Sequence, residues 1–204
     1  MKNNTVITIS RQYGSGGRLI GEMLAKQMGV PFYDNELINR AAEQTGLSKE
    51  CFRDAESTSL GNLLLSLTSL TPGSQNYGLP LNEKIFLFQS QVIKDVAAEG
   101  PCVIVGRCAE YVLHDNPNCI NIFVHAELED RVKRAVETYG LPEKDAEATV
   151  VKTDKRRANY YNYFTGKKWG RAANYDLVFN SSRISLEDIT KIIRTYVDIR
   201  RPVE

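Results

Sequence analysis

The sequence predicts a doubly wound α/β domain, a parallel five-stranded sheet flanked by helices on both sides. Strand-like apolar runs alternate with helix-like stretches along the 204 residues. That alternation implies right-handed crossovers between parallel strands. One run, "PCVIVG", is almost continuously apolar, as strands buried on both faces are. No repeat or low-complexity tract interrupts the order.

The elements follow in sequence. "TVITIS" (Thr5 to Ser10) is a short strand, and "RLIGEMLAKQMG" sets Leu19, Ile20, Met23, Leu24 and Met28 at helical spacing before Gly29. "VPFYD" reads as a second strand and "NELINRAAEQTG" as a helix stopping near Gly46. "SKECFRDAE" is a short helix with Ser48 as its N-cap, and Ser57 to Pro80 are rich in Ser, Leu, Gly and Thr, with "TPGSQNYG" as a mobile loop. "NEKIFLFQSQVIKDVAAEG" restores helical period ahead of "PCVIVG". "RCAEYVLHD" is helix-like, "CINIFVH" a fourth strand and "ELEDRVKRAVETYG" a charged amphipathic helix. A long polar helix from Pro142 to about Tyr163 leads into the basic turn "FTGKKWGRAANY". "DLVFN" is the fifth strand and "SLEDITKIIRTYVDI" the last helix.

Composition suits one domain over 1–204, with a mobile segment at about 47–80 and a lid at about 142–172: the chain is 42% hydrophobic and 25% charged. The formal net charge of +1 provides no global field for nucleic acid or an anionic membrane. Cys51, Cys102, Cys108 and Cys119 lack zinc-site spacing and read as reduced, mostly buried thiols. His114 and His125 read as structural or surface residues. With neither a signal-peptide pattern nor a membrane-length apolar run, a cytoplasmic protein is expected.

In such folds the ligand lies beyond the carboxyl ends of the strands, which gathers the residues after Ser10, Tyr33, Val105 and Val124 on one rim. The first of these stretches is "SRQYGSGGRLIG". Gly14, Gly16 and Gly17 sit between a strand and a helix, where backbone N–H groups and the helix dipole can hold phosphate. The usual loop, G-x-x-x-x-G-K-[ST], also carries a lysine for the terminal phosphates. Taking Gly16 as the last motif glycine, Arg11 occupies the first glycine position, Gly17 the lysine position, and Leu19 lies just downstream. Arg18, or alternatively Arg11, is the expected substitute cation, since guanidinium can bridge phosphate oxygens.

"ITISRQYGSGGRLIGEMLAKQMGVPFYDNELI", "CVIVGRCAEYVL", "DKRRANYYNYFTGKKWG" and "YDLVFNSSRISLEDI" together resemble the bacterial cytidylate kinase-like family, one of the P-loop nucleoside monophosphate kinases. The resemblance spans nearly the whole chain. It implies ATP with Mg2+ and a small-molecule acceptor. The nucleotide-binding residues would be Arg11, Gly14, Ser15, Gly16, Gly17, Arg18 and Leu19. Asp34 and Arg40 match acidic and arginine positions of a D-S-G-A-x-Y-R acceptor segment, with Asn35 in place of the serine. Gly106 and Arg107 match the centre of a D-G-R-D segment whose acids are here Val105 and Cys108. Asp154, Arg156 and Arg157 resemble the D-x-x-R pattern of a lid, which Lys167 and Lys168 would extend.

The expected function is transfer of the γ-phosphoryl of ATP to a nucleoside monophosphate such as CMP. Arg18, Arg156 and Arg157 would act on the transferring phosphoryl, and Asp34, Asn35, Arg40 and Arg107 would hold the acceptor. Magnesium ligands are not evident, Ser15 and Asp34 being the candidates. Two other readings stay open: a kinase of another small metabolite, and an inert nucleotide-binding module. The turn around Trp169, with Lys167, Lys168 and Arg171, could alternatively contact RNA, though nucleic acid is not the expected partner. Oligomeric state is not legible.

Overall fold

The structure is a computed structural model that describes residues 5–34 and 80–200. The helices expected over 35–46 and 48–56, the stretch over 57–79 with its loop, and with them Asn35, Arg40 and Cys51, lie outside the described residues.

Five strands occur: β1 (Val6–Arg11), β2 (Phe32–Tyr33), β3 (Cys102–Val105), β4 (Cys119–His125) and β5 (Leu177–Asn180). They form one sheet in the order β2-β3-β1-β4-β5, every neighbouring pair parallel. The described helices are α1 (Gly17–Met28), α2 (Leu81–Glu99), α3 (Ala109–Val112), α4 (Leu128–Glu137), α5 (Glu143–Thr165) and α6 (Leu186–Ile199), with a 3-10 turn at Ala172–Asn174. The expected doubly wound α/β architecture is the one observed.

Alternate side chains of a strand point to opposite faces, and helices cover both faces of this sheet. On one side Val6, Cys102 and Ile104 pack with Ile85, Val92, Ile93 and Val96 of α2. On the other, Ile7, Ile9, Val103, Ile120 and Ile122 pack with Ile20 and Leu24 of α1 and Ile189 and Ile193 of α6. This two-sided burial explains why the strands read as continuous apolar runs. Thr8, a buried polar residue within β1, donates its hydroxyl to Asn121 Oδ1 at 2.7 Å across the β1–β4 register.

Helix ends follow local chemistry. Gly29 and Gly166 close α1 and α5 in the left-handed conformation, and the Ser185 hydroxyl accepts from the Asp188 amide at the start of α6. One expectation fails: the helix read over "RCAEYVLHD" shrinks to Ala109–Val112. Gly106, Arg107 and Cys108 all have positive φ (79°, 59° and 55°), so the chain turns left-handed before a helix can begin. Cys102, Cys108 and Cys119 are buried. Among the described residues no helix is long and apolar enough to cross a membrane.

Ile9 is fully buried in the central strand. Ile9→Ala should destabilise the protein by about 3 kcal/mol through lost burial and a residual cavity. Urea unfolding followed by circular dichroism measures that loss.

Candidate functional site

The rim at the carboxyl ends of the strands begins with the turn between β1 and α1. Gly14 and Gly16 adopt φ of 78° and 80°, which strains any residue with a Cβ. A Cβ at Gly14 would also strike the Arg131 backbone, and one at Gly16 the Leu186 side chain. Gly17 is glycine for another reason: it is helical, but a Cβ there would lie 2.6 Å from the Arg11 Cβ.

The turn is fastened from several directions. The Gln12 amide donates to Val124 O at 3.0 Å, and the Ser181 hydroxyl donates to Ser15 O at 2.6 Å. Three arginines then take carbonyls from its first half. Arg157 Nη1 donates to Arg11 O at 3.1 Å, Arg131 Nη1 to Tyr13 O at 3.4 Å, and Arg134 Nη1 to Gly14 O. Asp154 completes the clamp by accepting from the Tyr13 amide at 2.7 Å and pairing with Arg131. Burial raises the Asp154 carboxyl above its ordinary range, while the Tyr13 amide and the Arg131 and Arg157 charges pull it back.

At the other end of the turn, α1 starts at Gly17 with no side-chain cap. The first amides of a helix have no partner within it. Among the described residues no backbone acceptor meets the amides of Gly16, Gly17, Arg18 and Leu19. Gly16, Gly17 and Arg18 line a cleft together with Arg11, Gln12, Tyr13, Gly14, Tyr139 and Arg157. Of the residues expected at this site, Arg11, Gly14, Gly16, Gly17 and Arg18 line the cleft, and Leu19 lies in the first turn of α1 outside its lining. Ser15 differs from its expected metal role: it is fully buried and its hydroxyl donates to Gln12 O at 2.9 Å.

Arg18 lines this cleft, yet two carboxylates already meet its guanidinium. Nε donates to Asp34 Oδ2 at 2.8 Å and Nη1 pairs with Glu22 at 2.8 Å. The bond to Asp34 raises the Arg18 pKa further. Asp34 also faces Arg11, Oδ1 to Nη2 at 3.9 Å, so its carboxylate serves arginines on the rim.

A second cleft adjoins the first. Ser10, Arg11, Gly106 and Arg107 supply the sheet side, and Arg157, Tyr160, Tyr161 and Trp169 the helical side. Cys108 completes it where the resembled family has an acid. Arg11 and Arg157 line both clefts. Arg107 reaches the second cleft from a left-handed backbone, a conformation that costs a non-glycine residue about 1 kcal/mol and clusters at functional sites.

The remaining lid candidates sit elsewhere. Arg156 lines neither cleft. Lys167 lies exposed over the Tyr111 ring, 5.7 Å from its centroid, and Lys168 is exposed with its carbonyl accepting from Asn174. The Trp169 ring packs at right angles to Phe123, 5.4 Å between centroids. His114 is exposed beside Asp115.

Three participants escaped the sequence reading. Arg131 and Arg134 looked like the solvated face of a charged helix, and only their spacing on one side of α4 hinted otherwise. Glu110 is the third. It lies buried behind the second cleft, where Ser10 Oγ donates to its Oε2 at 3.2 Å and its Oε1 has no partner among the described residues. Burial pushes this carboxyl up to about 7, opposed by hydrogen bonds from Ser10 and Tyr161 and by the Lys167 charge.

Among the described residues no cluster of His, Cys, Asp and Glu could hold a resident metal ion. Asp34 is occupied by arginine and the Ser15 hydroxyl by a carbonyl. Magnesium usually arrives held by substrate phosphates and water with one or two carboxylates.

A parallel sheet with a glycine turn between its first strand and first helix, open amides at the helix start and arginines gathered above, defines a P-loop fold of the kinase kind. The chain belongs to the cytidylate kinase-like family, whose model matches residues 6–183. It is 23% identical over 203 residues to a cytidylate kinase of Pyrococcus horikoshii, covering 99% of this chain and 93% of that one. A solved structure of an uncharacterized protein from Eubacterium ventriosum matches with a TM-score of 0.72 at 29% identity, over 96% of this chain and 99% of that chain. Shikimate kinase from Bacteroides thetaiotaomicron matches with a TM-score of 0.56 at 14% identity, over 96% of this chain and 99% of that one, a likeness of fold alone.

Two outcomes test this geometry. Asp154→Ala leaves Arg131, whose side chain is 9% exposed, without its carboxylate. Stability should fall by about 3 kcal/mol, read by urea unfolding. For Glu110, the folded protein holds a proton between about pH 4.5, its ordinary value, and about 7 that the unfolded chain releases. Its stabilisation is therefore complete below that window and lost as pH rises through it, on the order of 3 kcal/mol in all. Glu110→Gln should flatten this part of the stability profile, and an unchanged slope would refute the assignment.

Proposed function

We propose that the protein transfers the γ-phosphoryl of MgATP to a small anionic acceptor, a nucleoside monophosphate of the CMP type. Membership of the cytidylate kinase-like family supports the class of reaction. The observation that carries the reading is the pair of clefts sharing Arg11 and Arg157. Phosphoryl transfer calls for two anionic substrates brought in line, with charge stabilisation at their junction.

In this reading the amides of Gly16 to Leu19 bind the donor phosphates, and Arg107 faces the acceptor phosphate from the second cleft. Arg157 carries the lid role given by sequence to Arg156 and Arg157 jointly, because it alone of the two lines both clefts. Asn35 and Arg40 keep acceptor roles by resemblance only. A phosphate acceptor already carries its nucleophilic oxygen and needs no protein base. The aromatic wall of Tyr160, Tyr161 and Trp169 suits a flat ring or a sugar face.

The test mixes purified protein with MgATP and each nucleoside monophosphate in turn, with products separated by anion exchange. ADP and CDP should appear together, faster than with any other acceptor. No diphosphate from any of them would sink the nucleotide-kinase reading and leave another metabolite kinase or a binding module.

A further inference from the structure

We propose that Arg11 and Gly17 are a reciprocal exchange: the phosphate-binding cation that such loops carry at position 17 has moved to position 11, and its side chain fills the space a residue at 17 would need. The inference rests on the reading of this turn as a nucleotide-phosphate site. It goes further by naming the group that replaces the lysine.

Two departures from the usual G-x-x-x-x-G-K pattern are involved, and the structure makes them one. A Cβ at 17 would lie 2.6 Å from the Arg11 Cβ and 3.2 Å from its Cγ, so the arginine stem passes directly over Gly17. Farther out, the guanidinium lies against Gly106, where a Cβ would collide with Nη1. Two glycines, one on each side, therefore shape a channel for this one side chain. The channel ends where the two clefts meet.

Arg18 is the nearer candidate in sequence and the poorer one in space. It is 46% exposed and pairs with Asp34 and Glu22 at 2.8 Å each, whereas Arg11 is 18% exposed and stands 3.9 Å from Asp34. Arg11 also lines both clefts, whereas Arg18 lines only the first.

The experiment has a steric arm and an electrostatic arm. In thermal unfolding without nucleotide, Gly17→Ala should destabilise the native chain and cost little in an Arg11→Gly background, a coupling that needs no ligand. In equilibrium titrations with a fluorescent ATP analogue, Arg11→Ala should weaken binding at least about tenfold. Arg18→Ala should weaken it much less. Gly17→Lys alone should bind poorly, and Arg11→Gly combined with Gly17→Lys should recover most of the native affinity.

Additive steric effects, unchanged affinity in Arg11→Ala, or a double variant no better than Gly17→Lys would each overturn the exchange. A native chain that binds no ATP analogue would overturn the nucleotide-site reading as well as Arg11's role in it. Loss confined to Arg11→Ala, with binding intact in the native chain, marks the separate success of both.

Discussion

The glycine turn depends on a charge held beneath it. Turn carbonyls at residues 11, 13 and 14 all point to arginines, and one of these, Arg131, is itself buried against Asp154. A buried guanidinium without a carboxylate would be costly, so Asp154 fixes Arg131, and Arg131 fixes the turn. Because Asp154 also accepts from the Tyr13 amide, the long helix α5 is tied to the first loop of the chain. This region was expected to act as a lid. Asp154 ties it to the turn, and its contribution to the clefts comes one to two turns later, from Arg157, Tyr160 and Tyr161.

The sheet was legible because burial on both faces leaves a local mark. "CINIFVH" was read as a strand to the residue, since five of its seven positions are buried. The glycines were legible as a phosphate turn because their place between strand and helix is itself local. Yet the reason for Gly17 was not. Its constraint comes from a side chain six positions earlier that loops back over it, and no periodicity encodes that.

Other parts of the site were hidden by distance and by the usual behaviour of charge. Arg131 and Arg134 meet the turn across more than a hundred residues, and arginines on a charged helix normally face water. Glu110 was masked by the helix predicted around it. Only the left-handed run Gly106 to Cys108 sets the direction from which α3 returns its first turn towards Ser10, and such a run in Arg and Cys is not suggested by residue type. Arg18 is the converse case, for adjacency to the lysine position says nothing of the two carboxylates that meet its guanidinium.

The packing of Arg11 over Gly17 also restricts how such a loop can arise. A side chain at 17 and an arginine at 11 compete for one volume, so a lineage starting from a lysine at 17 cannot acquire the arginine first without a clash. The other order passes through a loop with neither side chain at these two positions. Between the two forms lies an intermediate that is either crowded or short of charge. Sequences on either side of that divide would be expected to stay there, with residues 11 and 17 changing together or not at all.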